Sequence, residues 1–242
     1  MTLRKSSNSA CYAAVDLRAL TPKNQGMQPV ARPSLLTFDI FGTVLDWRRG
    51  MRDAVESARG AWNQRSFDRI IDAQGRSEQG AFRRYADITA ESLIEVVGLS
   101  PSDADVIGAS VGTWPPYPDS TEGLRRLMRT VPCVAMTNSD REHGEQVQAG
   151  LGLVLTDWIC AEESRAYKPS PGVWRYVSEK LGVPFGPHWW HASAYADYDL
   201  ETARALGLTC VYVERPHARP GPTDVRVGDL VELAAAVEGV LP

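Results

Sequence analysis

No stretch of eighteen or more apolar residues occurs in this chain of 242, so the sequence offers no transmembrane helix. Cysteine is scarce. The four residues, Cys11, Cys133, Cys160 and Cys210, form no CxxC pair, and no histidine stands at ligand spacing beside them. That pattern argues against a zinc site or a disulfide framework and for reduced thiols in a cytoplasmic protein. An excess of charge of one sign is also missing: 26 basic against 30 acidic residues leave a net charge of -4. So weak a field excludes neither catalysis nor small-ligand binding, but it gives no pull toward nucleic acid or an anionic membrane. Residues 1–33 lack clear periodicity, and no apolar h-region follows Arg4 and Lys5, so a secretory signal is not expected. They read as an N-terminal arm of low order, or as sequence ahead of a start at Met27.

What is present is the composition of a folded domain, 43% apolar and 23% charged. Five short β-rich runs stand out: SLLTFDI (34–40), VPCVAMTN (131–138), TDWICAE (156–162), HWWHASA (188–194) and LTCVYVE (208–214). Most are continuously apolar rather than alternating, which suits strands covered on both faces of a parallel sheet. Helical segments separate the later ones. DSTEGLRRLMR pairs Asp119 with Glu122 three residues on, a capping-box pattern. SPGVWRYVSEKLG has Ser170 as N-cap, Pro171 at the first position and Gly182 past the end. DLETARALG begins at Asp199, and DLVELAAAV closes the chain. The expected fold is therefore α/β: a Rossmann-like parallel five-stranded sheet with helices on both faces. About ninety residues separate the first two strands, far more than a crossover needs. They read as helices, and predict a helical cap at 50–117 inserted into a core made of 34–49 and 118–242.

In open α/β sheets the reactive groups collect beyond the carboxyl ends of the strands. Here those ends carry Asp39 after the first strand, Thr137 and Asn138 after the second, Lys168 after the third, and Asp197 and Asp199 after the fourth. A carboxylate can attack an electrophile and form an ester that water later cleaves. A lysine beside it keeps it ionised and aimed, and hydroxyl and amide groups hold negative oxygens of a substrate. Each residue has a plainer reading too. Asp199 is a natural N-cap, Asn138 a natural turn residue, and Trp174, Trp189, Trp190 and His191 read as core.

The order of these motifs resembles the haloacid dehalogenase superfamily. FDIFGTVLD matches its first motif, with Asp39 as nucleophile and Thr43 four residues on; AMTNS, YKP and YADYDLETARALG match the next three, with Thr137, Lys168 and Asp199. The resemblance spans residues 34–215 and includes the long insertion after the first motif. Phosphatases of the superfamily carry an acid two residues after the nucleophile and bind magnesium through an acid in the fourth motif. Here those positions are Phe41 and Tyr195. An aromatic at 41 resembles the metal-free L-2-haloacid dehalogenase branch.

That resemblance implies a hydrolase that cleaves a carbon–halogen bond of a small 2-haloacid through an aspartyl ester on Asp39, with inversion at C2. It implies no cofactor, magnesium entering only if phosphate-ester hydrolysis were the activity. The implied catalytic set is Asp39, Thr43, Thr137, Asn138, Lys168 and Asp199. Ile40, Phe41, Tyr198 and a cap arginine, Arg76 (with Arg69 the other candidate), are the expected substrate contacts. The expected partner is a small carboxylic acid, with a homodimer left open. Two polar residues that the branch carries in its fourth motif are Ala194 and Ala196 here, which also leaves open hydrolysis of another carbon–heteroatom bond, or binding without turnover.

Overall fold

The computed structural model describes residues 30–59 and 62–240. The expectations for the arm and for Cys11 lie outside them, apart from 30–33, where the Ala31 carbonyl accepts the Trp190 indole N–H at 2.9 Å. The strands are β1 (Leu35–Phe38), β2 (Cys133–Thr137), β3 (Asp157–Cys160), β4 (Trp189–Ser193), β5 (Thr209–Val213) and β6 (Val225–Val227). They form one parallel sheet in the order β3-β2-β1-β4-β5-β6. The expected five strands are all there, and β6 is an addition. It is only three residues long, on the sheet edge, with Arg226 turned outward, so it carries almost no apolar signal.

The continuous apolar runs reflect a sheet buried on both sides. Leu36, Phe38 and Trp190 pack on one face with α5 (Ser120–Leu127), α6 (Arg141–Leu151) and α10 (Leu230–Val240). Leu35, Met136 and Trp189 pack on the other with α8 (Pro171–Leu181) and α9 (Glu201–Ala205). Successive side chains of a strand point to opposite faces, so neighbouring tryptophans enter different cores. A short helix, α7 (Ala161–Ser164), follows β3. The helix α6 has no strong sequence signature because glycines interrupt it; Gly144 is needed where the helix meets the Trp158 indole, 2.5 Å from any added Cβ. Cys133, Cys160 and Cys210 are buried and free.

Between β1 and β2 lie α1 (Trp47–Arg59), α2 (Gln64–Ser77), α3 (Tyr85–Val97) and α4 (Pro101–Ala109). The first core cluster continues into them through Met51, Ile70 and Leu93. The helix α3 begins at Tyr85, where Asp140 from the loop after β2 accepts the Tyr85 and Ala86 amides at 2.8 and 2.9 Å. A cap supplied from 55 residues away leaves no local signature. The Ser170–Pro171–Gly182 punctuation of α8 is as expected: Ser170 Oγ accepts the Gly172 amide, and Gly182 is left-handed at φ 65°.

Asp119 departs from its expected capping role. Its carboxylate instead accepts from two Arg215 nitrogens, Nη1 and Nη2, at 2.7 and 2.8 Å and from the Leu230 amide at 2.9 Å. A charged, bidentate partner outcompetes a local amide. No helix among the described residues is long and apolar enough to cross a membrane.

Candidate active site

The switch in strand order lies at β1, whose neighbours β2 and β4 feed their following loops to the same end. Asp39 sits there, one residue past β1, with its amide on the Ala192 carbonyl at 2.9 Å. Gly42 makes the next turn at φ 97°; a side chain there would meet the Tyr195 ring at 2.4 Å. The turn brings Thr43 back, and its hydroxyl donates to Asp39 Oδ2 at 2.6 Å while accepting the Ala194 amide at 2.9 Å.

Lys168 Nζ donates to Asp39 Oδ1 at 2.9 Å and to Asp199 Oδ2 at 2.8 Å. The trio is buried, Asp39 keeping 8% exposure. Burial works against the Lys168 ammonium, but Asp199 and Asp39 outweigh it and raise its pKa. Burial also pushes Asp199 up, yet Lys168 and His191 prevail and hold it at about 2. At Asp39 burial wins: the carboxyl stands above its usual range, although Lys168 and Thr43 pull it down. One ammonium between two carboxylates leaves a net negative charge, and of the two only Asp39 keeps any exposure, because Asp199 is fully enclosed.

Asp199 does not cap a helix as expected. It lies inside a π-helical turn, Ala196–Leu200, that runs into α9, and its carboxylate is taken by Lys168. Its Oδ1 and the His191 Nε2 are buried without a hydrogen-bond partner, the ring nitrogen lying 3.7 Å from Asp199 Oδ2. His191 itself is core, with Nδ1 2.7 Å from the Thr37 hydroxyl. Asn138 is a junction: its Oδ1 accepts the Lys168 amide at 2.6 Å, and its Nδ2 lies 3.0–3.1 Å from Glu78 Oε2, the Tyr198 hydroxyl and the Lys168 carbonyl. The Thr137 hydroxyl is occupied locally, 3.2 Å from both the Ser139 hydroxyl and its amide.

Asp39, Thr137, Asn138, Lys168 and Asp199 line one cleft, together with Phe41, Trp47, Tyr85 and Tyr198. Phe41 is nearly buried, its ring 6.0 Å from Tyr85 and 6.4 Å from Trp114. Ile40 is fully buried and does not line the cleft; its carbonyl instead gathers the amides of Thr43, Val44 and Leu45. Arg76 is also outside. It lies on the solvent side of α2, 2.8 Å from Glu95, and Arg69 is exposed on the same side. The face of α2 that lines the cleft is Ile71, Gln74, Gly75 and, one residue past the helix, Glu78.

Among the lining residues that the sequence reading did not name, two are charged, Glu78 and Arg219. Glu78 continues the i, i+3, i+4, i+7 stripe of Ile71, a signal that periodicity holds but composition does not. Arg219 comes from a Pro-rich loop with no periodicity. It contacts Asp197 at 3.1 Å and lies over the Tyr195 ring at 5.0 Å. Its amide and carbonyl bond the Ala194 carbonyl and Ala196 amide at 2.8 and 2.9 Å.

As to metal, the donor set does not suit a magnesium ion, which wants several oxygens. The fourth-motif position is a phenol, Tyr195, and Asp197 is turned to Arg219. Among the described residues no three His, Cys, Asp or Glu side chains are grouped to hold a metal. What the arrangement offers is a carboxylate, Asp39, fixed by an ammonium and a hydroxyl and facing an aromatic cleft.

The family model for haloacid dehalogenase-like hydrolases matches residues 33–188. The chain is 25% identical over 214 residues to (S)-2-haloacid dehalogenase 4A of Burkholderia cepacia, covering 81% of this chain and 91% of the relative. Among solved structures, a defluorinating L-2-haloacid dehalogenase superposes with a TM-score of 0.75 at 24% identity, over 85% of this chain and 95% of that one. The L-2-haloacid dehalogenase of Xanthobacter autotrophicus with chloropropionic acid covalently bound gives 0.74 at 19%, over 86% and 99%. With the motif order, the sheet and the match in agreement, the chain belongs to the haloacid dehalogenase-like hydrolases and is an enzyme of that type.

Proposed function

We propose that the protein cleaves the carbon–halogen bond of a small 2-haloacid without a metal, through an ester on Asp39. The observation that carries this reading is the pairing of one oriented carboxylate with Phe41 two residues on. Asp39 is held from both sides by Lys168 and Thr43, and Phe41 stands among aromatics with no proton to give. A halide leaves without a proton, whereas an alkoxide leaving a phosphate ester needs one.

An Asp39 oxygen attacks C2 from the side opposite the halogen. The new C–O bond forms as the carbon–halogen bond breaks and the halide departs with the electron pair, inverting C2. Water then adds to Asp39 Cγ, and the 2-hydroxy acid leaves. Lys168 keeps the attacking carboxylate ionised, and Thr43 fixes its rotation. Arg219 receives the substrate carboxylate, since Arg76 faces away and Arg219 is the arginine among the described residues that lines the cleft. Residues 50–117 act as the cap, with the Ile71–Glu78 stripe as its inner wall. The covalently bound chloropropionic acid in the Xanthobacter relative is consistent with this chemistry.

The test is halide release from (S)-2-chloropropionate. Turnover unaffected by EDTA is expected, with the mass of an ester adduct on Asp39 under single-turnover conditions. No release from any 2-haloacid at high enzyme concentration, or magnesium-dependent release of phosphate from an aryl phosphate, would sink it.

A further inference from the structure

The cleft holds a carboxyl group that the steps above leave idle. Glu78 closes the inner stripe of α2, and its Oε2 accepts Asn138 Nδ2 at 3.0 Å. Asn138 accepts the Lys168 amide through its other end at 2.6 Å. Glu78 is thus tied, through one side chain, to the backbone of the lysine that holds Asp39. The titratable groups that bear on it are Lys168, which is cationic, and the phenols Tyr85, Tyr167 and Tyr198, with Asp39 and Arg219 in the same lining. Burial outweighs Asn138 and Lys168 and pushes its carboxyl up to about 7. Such a group takes and returns a proton readily at neutral pH.

The second half of the reaction needs a group of this kind. The fourth-motif loop presents Ala194 and Ala196, which offer no side-chain acceptor to water. Asp199 is enclosed and bonded to Lys168. The hydroxyl of Thr43 already serves Asp39, and that of Thr137 faces Ser139.

We infer that Glu78 is the proton-transfer residue for hydrolysis of the Asp39 ester, an inference that rests on Asp39 being the nucleophile. Glu78 accepts one proton from water as the water oxygen bonds Asp39 Cγ. The tetrahedral adduct collapses with breakage of the bond between Cγ and the alkyl oxygen. Glu78 returns its proton to that oxygen, releasing the 2-hydroxy acid, and the Asp39 carboxylic acid loses its proton to solvent. One water is consumed, and one proton and one halide are released per turnover. The acid that the first motif lacks at position 41 is in this way supplied by the helical insertion, for the step after halide departure rather than for the departure itself.

Glu78→Gln separates the two half-reactions, because a glutamine oxygen can still accept from Asn138. With (S)-2-chloropropionate in rapid-mixing experiments, the variant is expected to release its first equivalent of halide as fast as the parent. Its steady state should then fall by roughly 10²–10⁴-fold, with the Asp39 adduct accumulating in the intact mass. The parent's steady-state rate rises with pH through a limb near neutrality that the variant lacks; Glu78→Asp keeps a limb. Turnover of Glu78→Gln at the parental rate overturns the inference. So does a slowed first halide release with no adduct, which marks a structural role. A parent that releases no halide at all fails the earlier reading as well, and is recognised by the missing burst.

Discussion

Lys168 and Asp199 form an ion pair of 2.8 Å that solvent does not reach. Breaking such a pair from one side strands a buried charge, at a cost of about 3–5 kcal/mol. Lys168→Met leaves two carboxylates without their cation. It should lower unfolding free energy in urea by that order and abolish halide release. An unchanged denaturation midpoint would show that the trio relaxes into solvent.

The same pair sets an acid limit. Asp199 is held at about 2 in the fold, below the value of about 3.9 for an unfolded aspartate. Its ionised form therefore adds stability that is fully present above pH 4 and disappears as pH falls from about 4 to about 2. Melting curves of Asp199→Asn should flatten in that window relative to the parent. Parallel curves would contradict the assignment.

Asp39 has the opposite sign. Burial holds its carboxyl above the usual range, so its ionised form at neutral pH works against the fold. Asp39→Asn should lose all turnover and all adduct while changing stability by less than about 1 kcal/mol. Surviving activity would remove Asp39 as nucleophile.

Arg219 should govern the choice of substrate rather than the chemistry. A charge-assisted bond to a carboxylate contributes about 1.5–3 kcal/mol, and this side chain keeps 49% exposure. The lower end, roughly tenfold in kcat/KM, is expected for Arg219→Ala with 2-chloropropionate. The variant should act on 2-chloropropionamide as the parent does. Equal losses on both substrates would argue for a structural effect.

Asp119 and Arg215 tie the site to the far end of the sheet. Arg215 grips Asp119 with two nitrogens and donates its third, Nε, to the Thr43 carbonyl at 2.9 Å, while Asp119 also holds the first amide of α10. Asp119→Ala should cost about 2–3 kcal/mol in urea titrations and reduce turnover through a loosened Thr43. Full activity with reduced stability would show that Thr43 is fixed by Asp39 and Ala194 alone.

The strands and their order of chemistry could be read because burial on both faces makes them continuously apolar, and because a parallel sheet gathers its loop residues at one end. Asp39, Thr43, Lys168 and Asp199 meet for that reason. Less could be read where distant partners decide. Asp119 leaves its helix for Arg215, and Asp140 starts α3 from another part of the chain. The resemblance implies an arginine on the second cap helix and points to Arg76, whereas the phase of α2 turns Arg76 to Glu95 and turns Glu78 inward. Arg219 needed the backbone bridge to the fourth motif, which no spacing in the sequence encodes.

That bridge changes what the two alanines mean. The Ala194 amide serves the Thr43 hydroxyl, its carbonyl the Arg219 amide, and the Ala196 amide the Arg219 carbonyl. All three bonds are made by main-chain atoms of the alanines, and both methyl groups are fully buried. The identity of these residues is therefore constrained by volume and not by polarity. A lineage could exchange the side chains at 194 and 196 among small residues, shedding or regaining hydroxyl chemistry, without moving the support of Asp39 or the cleft's arginine.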